Sequence, residues 1–131
     1  MHYNLIMQTY KKKILIIDEA GFSRICSAIL ENEGFGTNII PDINQFDSMG
    51  DFSDIGLIIT SYPYGASMLG KLKKWKIPMI ILSDHMSLEL MATLDHFDRS
   101  LSYCMLKPLN YQKFRALVSE TMHKSEQSVQ I

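Results

Sequence analysis

The chain alternates runs of apolar residues with segments whose apolar residues recur at helical spacing. Five runs predict strands, at residues 14–17, 35–40, 55–60, 77–82 and 101–106. The first run, ILII, is continuously apolar, which is typical of a strand buried on both faces of a parallel sheet. The pattern therefore predicts a sheet of five strands with a central, fully covered region.

Helical patterns separate these predicted strands. The first helix has its apolar residues at i, i+3, i+4, i+7 and i+8 over residues 22–30, and Gly34 is well placed to end it. Shorter helices are predicted at 43–50 and 66–74, and Asn110 opens the last helix. The apolar faces of the last two helices consist of Leu90, Met91, Leu94 and Phe97, and of Phe114, Leu117, Val118, Thr121 and Met122.

Strand and helix alternate five times, which predicts right-handed crossovers and a parallel sheet with helices on both faces. Ser87 or Asp84 is expected to cap the fourth helix. We expect one α/β domain over residues 12–124, with a lead-in at 1–11 and a frayed tail at 125–131.

Composition narrows the class of protein further. The 131 residues include 13 Lys+Arg and 14 Asp+Glu, for a net charge of -1, and 47% are hydrophobic. This balance excludes disorder and gives no general attraction to nucleic acid or membranes. Cys26 and Cys104, both expected to be buried, cannot form a disulfide framework, so a cytoplasmic location is expected. No apolar run approaches the roughly 18–20 residues of a membrane span.

Two surface features allow more than one interpretation. The only tryptophan, Trp75, is surrounded by four lysines: Lys71, Lys73, Lys74 and Lys76. A nucleic-acid patch would have this composition, but the solvated face of one short helix explains it better. Met86, Leu88 and Met91 are apolar residues that either pack in the core or form an adaptable docking face. The four histidines have no metal-ligand spacing.

Polar residues follow four of the predicted strands. Asp18 and Glu19 follow the first strand, Ser61 the third, Ser83 the fourth and Lys107 the fifth. Because functional groups of an open parallel sheet gather at the carboxyl ends of its strands, these residues are expected to converge. Carboxylates there can bind a divalent cation, and the lysine and hydroxyls can bind an anion.

Three of these strand ends resemble the receiver domain of two-component response regulators, the CheY-like family. The matching segments are KILIIDEA, IPMIILSD and MLKPL. The resemblance extends over about residues 12–124 and implies a flavodoxin-like (βα)5 three-layer fold with sheet order 2-1-3-4-5. It also implies that a histidine kinase passes a phosphoryl group to an aspartate after the third strand, beside a Mg²⁺ ion.

The resemblance assigns a role to each strand-end residue. Asp18 and Glu19 match the Mg²⁺ pair, Ser83 matches the switch hydroxyl and Lys107 matches the family's lysine before a proline. The acceptor position is held by Ser61, whose hydroxyl cannot form an acyl phosphate and supplies no charge to a metal. We therefore expect a degenerate receiver with at most a weak, remnant Mg²⁺ site, in which Lys107 pairs with Asp18 or Glu19.

Other positions depart from the family pattern in the same direction. Asp84 follows the switch hydroxyl where a small residue is usual, the stretch 61–78 is short, and Cys104 stands where an aromatic residue is usual. Ser61 itself is interpreted as a loop serine. The alternatives are a serine that is phosphorylated directly and one that hydrogen-bonds Lys107.

These observations predict a cytoplasmic signalling module that is not an enzyme and acts by protein contact without aspartyl phosphorylation. Its expected partner is a histidine kinase, an output domain or another signalling protein, and a homodimer through the fourth helix, fifth strand and fifth helix is one expected assembly. One alternative is a small flavodoxin-like ligand binder or enzyme that uses the same strand ends. Another is phosphotransfer to Asp84. Neither nucleic acid nor membrane is an expected partner.

Overall fold

The computed structural model describes residues 10–40, 45, 52–62, 76–95 and 100–127. Several predicted features lie outside this part of the chain. They are most of the lead-in, the helix at 43–50 apart from residue 45, the helix at 66–74, Phe97, most of the lysine cluster and residues 128–131.

Five strands form one parallel sheet, with helices on both of its faces. The strands are β1 (Lys13–Ile17), β2 (Thr37–Ile40), β3 (Ile55–Tyr62), β4 (Met79–Ser83) and β5 (Ser102–Leu106). The helices described are α1 (Ala20–Asn32), α2 (Leu88–Leu94) and α3 (Tyr111–Gln127). The strand order is β2-β1-β3-β4-β5, and all four pairings are parallel. This order confirms the predicted flavodoxin-like arrangement.

The side chains of β1 point alternately into two hydrophobic clusters, one on each face of the sheet. Ile14 and Ile16 pack in a cluster that includes buried residues of α1 and α3. Leu15 and Ile17 pack in the opposite cluster, to which α2 contributes Leu90. Successive residues of a strand point to opposite faces, so a strand covered on both sides must be apolar throughout. The continuous ILII run is the sequence consequence of this burial.

Helix α1 ends as the sequence predicts, through a glycine with positive φ. Gly34 has φ 98, and its N–H donates to the Glu31 carbonyl at 3.0 Å. The Phe35 N–H donates to the Leu30 carbonyl at 3.1 Å, and the two side chains pack in the same core cluster. These two bonds and the accompanying apolar contact form a Schellman motif. The chain therefore reverses direction here and enters β2.

The N-terminus of α2 is capped by Ser87 and not by Asp84. The Leu90 N–H donates to the Ser87 hydroxyl oxygen at 3.0 Å. Leu90 is fully buried, whereas the apolar set around it faces outward: Met86 is 48% exposed, Leu88 85% and Met91 49%. Core packing is therefore not the role of this set.

The last helix continues beyond the predicted boundary at residue 124. Helix α3 extends to Gln127, and Ser125 is buried, with its hydroxyl donating to the Gly56 carbonyl at 2.7 Å. The Lys12 N–H donates to the carboxylate of Glu126 at 2.7 Å. Residues 125–127 are therefore part of the domain and not of a frayed tail, because they pack against the amino ends of β1 and β3.

Burial differs from the prediction at two sites. Ile25, expected on the inner stripe of α1, is 58% exposed, whereas Cys26 and Leu30 on the same helix are buried in the core. Cys104 is half-buried and not fully buried, because β5 is an edge strand. The strands also differ slightly in extent, since β2 begins at Thr37 and β3 continues through Tyr62.

In the part of the chain that the structure describes, no helix is both long enough and apolar enough to cross a bilayer.

Candidate functional site

The predicted site residues converge where the carboxyl ends of four strands meet. Asp18 follows β1 and is 2% exposed, Ser61 lies in β3 at 5%, and Ser83 ends β4 at 3%. Lys107 follows β5 and is half-buried, whereas the Glu19 side chain is exposed. We call this region the carboxyl edge. Burial of a carboxylate and two hydroxyls at one edge requires that each of them has a hydrogen-bond partner.

Ser61 is a buried strand residue and not a loop serine. It lies in β3 beside Asp18, and its hydroxyl donates a short hydrogen bond to Oδ2 of that carboxylate. The other carboxylate oxygen, Oδ1, accepts the Glu19 N–H at 2.8 Å. Both oxygens of Asp18 are therefore engaged by donors from the protein itself. Hydrogen bonds to a charged acceptor are about twice as strong as neutral ones, which offsets part of the cost of burying this carboxylate.

Two further hydroxyls hold the strand ends in position. Thr60 donates through Oγ1 to the Ile17 carbonyl at 2.8 Å, which ties β3 to β1. Ser23, in the first turn of α1, donates through Oγ to the Asp18 carbonyl at 3.1 Å. The role of Ser23 was not predicted, although a small polar residue one turn after an acidic strand end is a signal that could have indicated it.

Ser83 hydrogen-bonds within its own loop. Its hydroxyl donates to the His85 carbonyl at 2.7 Å, and the Lys107 N–H donates to the Ser83 carbonyl at 2.8 Å. The loop after β4 is thus fixed at the end of its strand, and β5 is joined to it. Asp84, the next residue, is exposed.

Lys107 does not make the ion pair that the sequence suggested. Its ammonium lies 4.8 Å from the centroid of the Phe22 ring, an arrangement typical of a cation–π contact. In the described residues, no ion pair joins Lys107 to Asp18 or Glu19. The physical reason is that both oxygens of Asp18 already accept hydrogen bonds, while α1 presents an aromatic ring to the lysine.

Beside this site, burial and the Asp18 carboxylate raise the pKa of the Cys26 thiol from 9.0 to about 12. The thiol is therefore neutral at physiological pH, and Cys26 acts as a small apolar core residue. Burial also raises the pKa of the Cys104 thiol, which contacts the Met86 sulfur at 3.8 Å. Neither cysteine has the lowered pKa that a nucleophile requires.

Tyr62, the last residue of β3, connects the carboxyl edge to α2. Its hydroxyl donates to the Glu89 carboxylate at 3.1 Å. Desolvation raises the pKa of Tyr62, and the hydrogen bond and charge of Glu89 raise it further. This contact was not predicted from the sequence, because it joins residues that are far apart in the chain.

The donor set at the carboxyl edge does not match a divalent-cation site. Carboxylate-based Mg²⁺ sites need acidic oxygens directed at the ion. Here Ser61 supplies a neutral hydroxyl, Asp18 is engaged by protein donors, and the Glu19 side chain is exposed. Among the described residues, no three acidic, histidine or cysteine side chains are grouped in a way that could hold a metal.

An apolar groove lies next to the carboxyl edge, between α2 and β5. It has a volume of about 340 Å³, and Met86, Met91, Leu94 and Cys104 line it. Met86 and Met91 belong to the exposed apolar set around Leu90 that is described above. The groove is therefore accessible apolar surface between α2 and β5.

No protein-family model matches this sequence, and the comparison with curated proteins likewise gives no match. Solved structures with the same fold are numerous, since 98 chains match. The CheY-like response regulator receiver domain protein from Methanospirillum hungatei JF-1 superimposes with a TM-score of 0.72 and 20% identity, over 89% of this chain and 98% of that one.

Two more matches illustrate the range of these structures. The response regulator TrrA from Thermotoga maritima, solved in complex with Mg²⁺-BeF, has a TM-score of 0.64 and 18% identity, over 84% of this chain and 98% of that one. NtrX from Brucella abortus, solved in complex with ATP, has a TM-score of 0.73 and 17% identity, and the match covers 94% of this chain but 28% of that one. At these identities the comparisons establish the fold, which is that of response regulator receiver domains.

Proposed function

We propose that this chain is a receiver-like module of a two-component or phosphorelay system that signals through protein contacts and is not switched by an aspartyl phosphate. The observation that carries this proposal is the hydrogen bond from the Ser61 hydroxyl to Asp18. In a receiver, this strand end must present a carboxylate to the phosphodonor. Here a neutral hydroxyl occupies it and is directed at the neighbouring acid.

The chemistry of Ser61 supports the proposal at two steps. A hydroxyl cannot form an acyl phosphate, so the high-energy intermediate of the family has no place to form on this residue. Because affinity for a hard cation rises with the number of charged ligands, replacing one of three carboxylates with a hydroxyl also weakens Mg²⁺ binding. Phosphotransfer that depends on Mg²⁺ is therefore disfavoured twice, and the module is proposed to catalyse no reaction of its own.

The remaining switch residues support the same conclusion. The Ser83 hydroxyl donates to the backbone of its own loop, and the Lys107 ammonium lies over an aromatic ring. Each group thus has a partner inside the protein without any phosphoryl group. These groups therefore already have contacts that they would have to give up in order to bind a phosphoryl group.

Proposed partners follow from the fold and the exposed groove. The solved neighbours include the signal receiver domain of an HD-domain-containing protein and, over 28% of its length, the longer NtrX chain. A histidine kinase, an output domain or another cytoplasmic signalling protein is therefore the class of partner we propose. A homodimer through the face formed by α2, β5 and α3 would bury Met86 and Met91, which are about half exposed.

Treatment with acetyl phosphate and Mg²⁺, followed by intact-protein mass spectrometry, tests the proposal. We expect no phosphoryl adduct on the wild-type chain. A stoichiometric adduct that hydroxylamine releases, as it releases an acyl phosphate, would contradict it. Should such an adduct form, loss of labelling in Asp84→Asn would assign the phosphate to that exposed carboxylate, the alternative acceptor that the sequence raised.

Ser61→Asp tests whether the edge is receiver-like in all but this residue. The substitution restores a third carboxylate, so Mg²⁺ affinity measured by calorimetry is expected to rise by about tenfold or more. Ser61→Asn is the matched control, because it has nearly the same size as aspartate but no charge. Equal Mg²⁺ affinity in Ser61→Asp and Ser61→Asn would show that the pocket does not have receiver geometry.

A further inference from the structure

A second cavity lies at the opposite end of the sheet from Ser61. It opens where the amino ends of β1, β3, β4 and β5 meet the last turns of α3, and its volume is about 370 Å³. Cavities that bind small molecules have volumes of roughly 300–1,000 Å³. We call this cavity the amino-edge pocket. No residue of the carboxyl edge lines it.

One wall of the amino-edge pocket is apolar. Its lining includes Phe52, Ile55, Ile77, Pro78 and Leu101, together with Tyr103. Phe52 and Ile55 are buried, and the others are half-buried. An apolar wall that includes two aromatic rings provides a surface on which a flat ring can pack. The pocket is therefore shaped for a ligand that is more than a simple inorganic ion.

Three lysines also line the amino-edge pocket: Lys12, Lys76 and Lys124. Lys124 has an acidic partner, since its ammonium lies 3.7 Å from the carboxylate of Glu120 on the same helix. In the described part of the chain, the ammonium groups of Lys12 and Lys76 make no ion pair. Among the described residues, these two ammonium groups therefore have no acid within ion-pair distance.

One acid at this edge, Glu126, is already used by the backbone. The carboxylate of Glu126 accepts the Lys12 N–H at 2.7 Å, which ties α3 to the start of β1. This bond is structural and leaves the Lys12 side chain unpaired. Like charges that line one cavity repel each other, and an anion bound between them would relieve that repulsion.

We propose that the amino-edge pocket binds a small organic anion that contains an aromatic ring. The ring packs on the apolar wall, and the ammonium groups of Lys12 and Lys76 bind the carboxylate or phosphate. This inference is independent of the proposed signalling function, because it uses none of the residues of the carboxyl edge. The module would thus have a ligand-binding site that is separate from the carboxyl edge.

Fluorescence titration with 8-anilinonaphthalene-1-sulfonate, an anionic aromatic probe, tests the proposal on the full chain. We expect saturable binding at one site per chain, weakened by about tenfold or more in the double variant Lys12→Gln/Lys76→Gln, because this variant removes both charge-assisted contacts to the anion. Lys113→Gln is the matched control, since this lysine lies at the other end of α3. N-phenyl-1-naphthylamine, a neutral analogue, should bind more weakly and equally to all variants.

Amide chemical shifts locate the bound probe. Shifts centred on residues 76–78, 100–103 and 121–125 are expected, with those of Asp18 and Ser61 unchanged. Adenosine monophosphate and benzoate, added as competitors, distinguish a phosphate-bearing from a carboxylate-bearing ligand, and displacement by either one supports the proposal. Equal binding of the charged and neutral probes, full binding by Lys12→Gln/Lys76→Gln, shifts centred on the α2–β5 groove, or displacement by neither competitor would overturn it.

Discussion

The charged groups at the two ends of the sheet differ in the partners they have within the protein. At the carboxyl edge, the buried carboxylate of Asp18 has both oxygens occupied by protein donors, one of them Ser61. At the amino edge, Lys12 and Lys76 line an open cavity and make no ion pair with any described residue. The end of the sheet where receivers perform chemistry is internally satisfied here, and the other end is not.

This difference shows that two edges of one sheet can differ in how far their charged groups are engaged by the protein itself. In a parallel sheet all strands begin at one edge and end at the other. Polar residues before and after the buried strands therefore gather at these two edges. Which edge attracts a ligand then depends on single residues. At the carboxyl edge, the residue that hydrogen-bonds the Asp18 carboxylate from β3 is Ser61.

The first prediction concerns a substitution that disrupts the hydrogen bond between Ser61 and Asp18 at the carboxyl edge. Ser61→Asp places a second buried carboxylate beside Asp18 with no cation to compensate it, so the free energy of unfolding should fall by about 3 kcal/mol in the presence of EDTA. Urea denaturation measures the loss, and Mg²⁺ should restore part of it. Ser61→Asn, without the added charge, should lose much less. Equal denaturation midpoints for the two variants would mean that the Asp18 carboxylate is not close to this position.

The raised pKa of Cys26 predicts a pH dependence at the same edge. The folded protein keeps the thiol protonated up to a pKa of about 12, whereas the unfolded chain releases the proton near 9.0. Stability from this group is therefore complete below about pH 9 and is lost as the pH rises toward 12, at about 1.4 kcal/mol per pH unit. The difference in the free energy of unfolding between the wild type and Cys26→Ala, measured by denaturation at rising pH, should therefore decrease by about 1.4 kcal/mol per pH unit. Parallel pH profiles would contradict the burial of this thiol.

A smaller effect is expected at the amino edge. A Cβ on Gly56 would lie 3.1 Å from both the Met122 sulfur and the Lys12 Cβ, and 3.3 Å from the Ser125 Cβ. Gly56→Ala should therefore destabilise the protein by about 1 kcal/mol through overpacking. Gly36→Ala is the control, because its nearest contact is an ordinary 3.5 Å from a lysine side chain. Should both substitutions have the same effect on thermal unfolding, α3 does not pack closely on β3.

The smallest effect distinguishes a cation–π contact from an ion pair. Lys107→Met keeps much of the side-chain volume and removes the charge over Phe22, so we expect a loss of about 0.5–1 kcal/mol in the free energy of unfolding. Phe22→Leu combined with Lys107→Met should show coupling of the same size in a double-mutant cycle. A loss of several kcal/mol, as for breaking a buried ion pair, would instead indicate that Lys107 pairs with Asp18.

The architecture was predictable because it depends on local patterns. Continuous apolar runs mark strands that are covered on both faces, and Gly34 and Ser87 end and begin helices through bonds to residues within one or two turns. The strand order followed from the resemblance to receiver domains, which the comparison of structures supports at the level of the fold. Convergence of the strand-end residues followed from the parallel sheet itself.

The pairings within the site were not predictable in the same way. The sequence suggested that Lys107 would neutralise Asp18, since opposite charges at one edge attract. In the structure, the Asp18 carboxylate accepts a hydrogen bond from Ser61, and the Lys107 ammonium lies over the Phe22 ring. Several short-range partners were available to each group, and sequence spacing cannot rank them, because their energies depend on distances of a few ångströms between different strands.

The sequence by itself determined the alternation of buried strands and helices, the class of the fold and the residue types at each strand end, because these depend on hydrophobic periodicity and on local capping. The tertiary structure decided which partner each polar group takes. Asp18 and Ser61 are 43 positions apart, and Lys12 and Glu126 are 114 apart. Contacts over such separations form only when the sheet brings distant strand ends together. The hydrogen bonds to Asp18 at one edge, and the absence of an ion pair at Lys12 and Lys76 among the described residues at the other, are therefore properties of the folded chain.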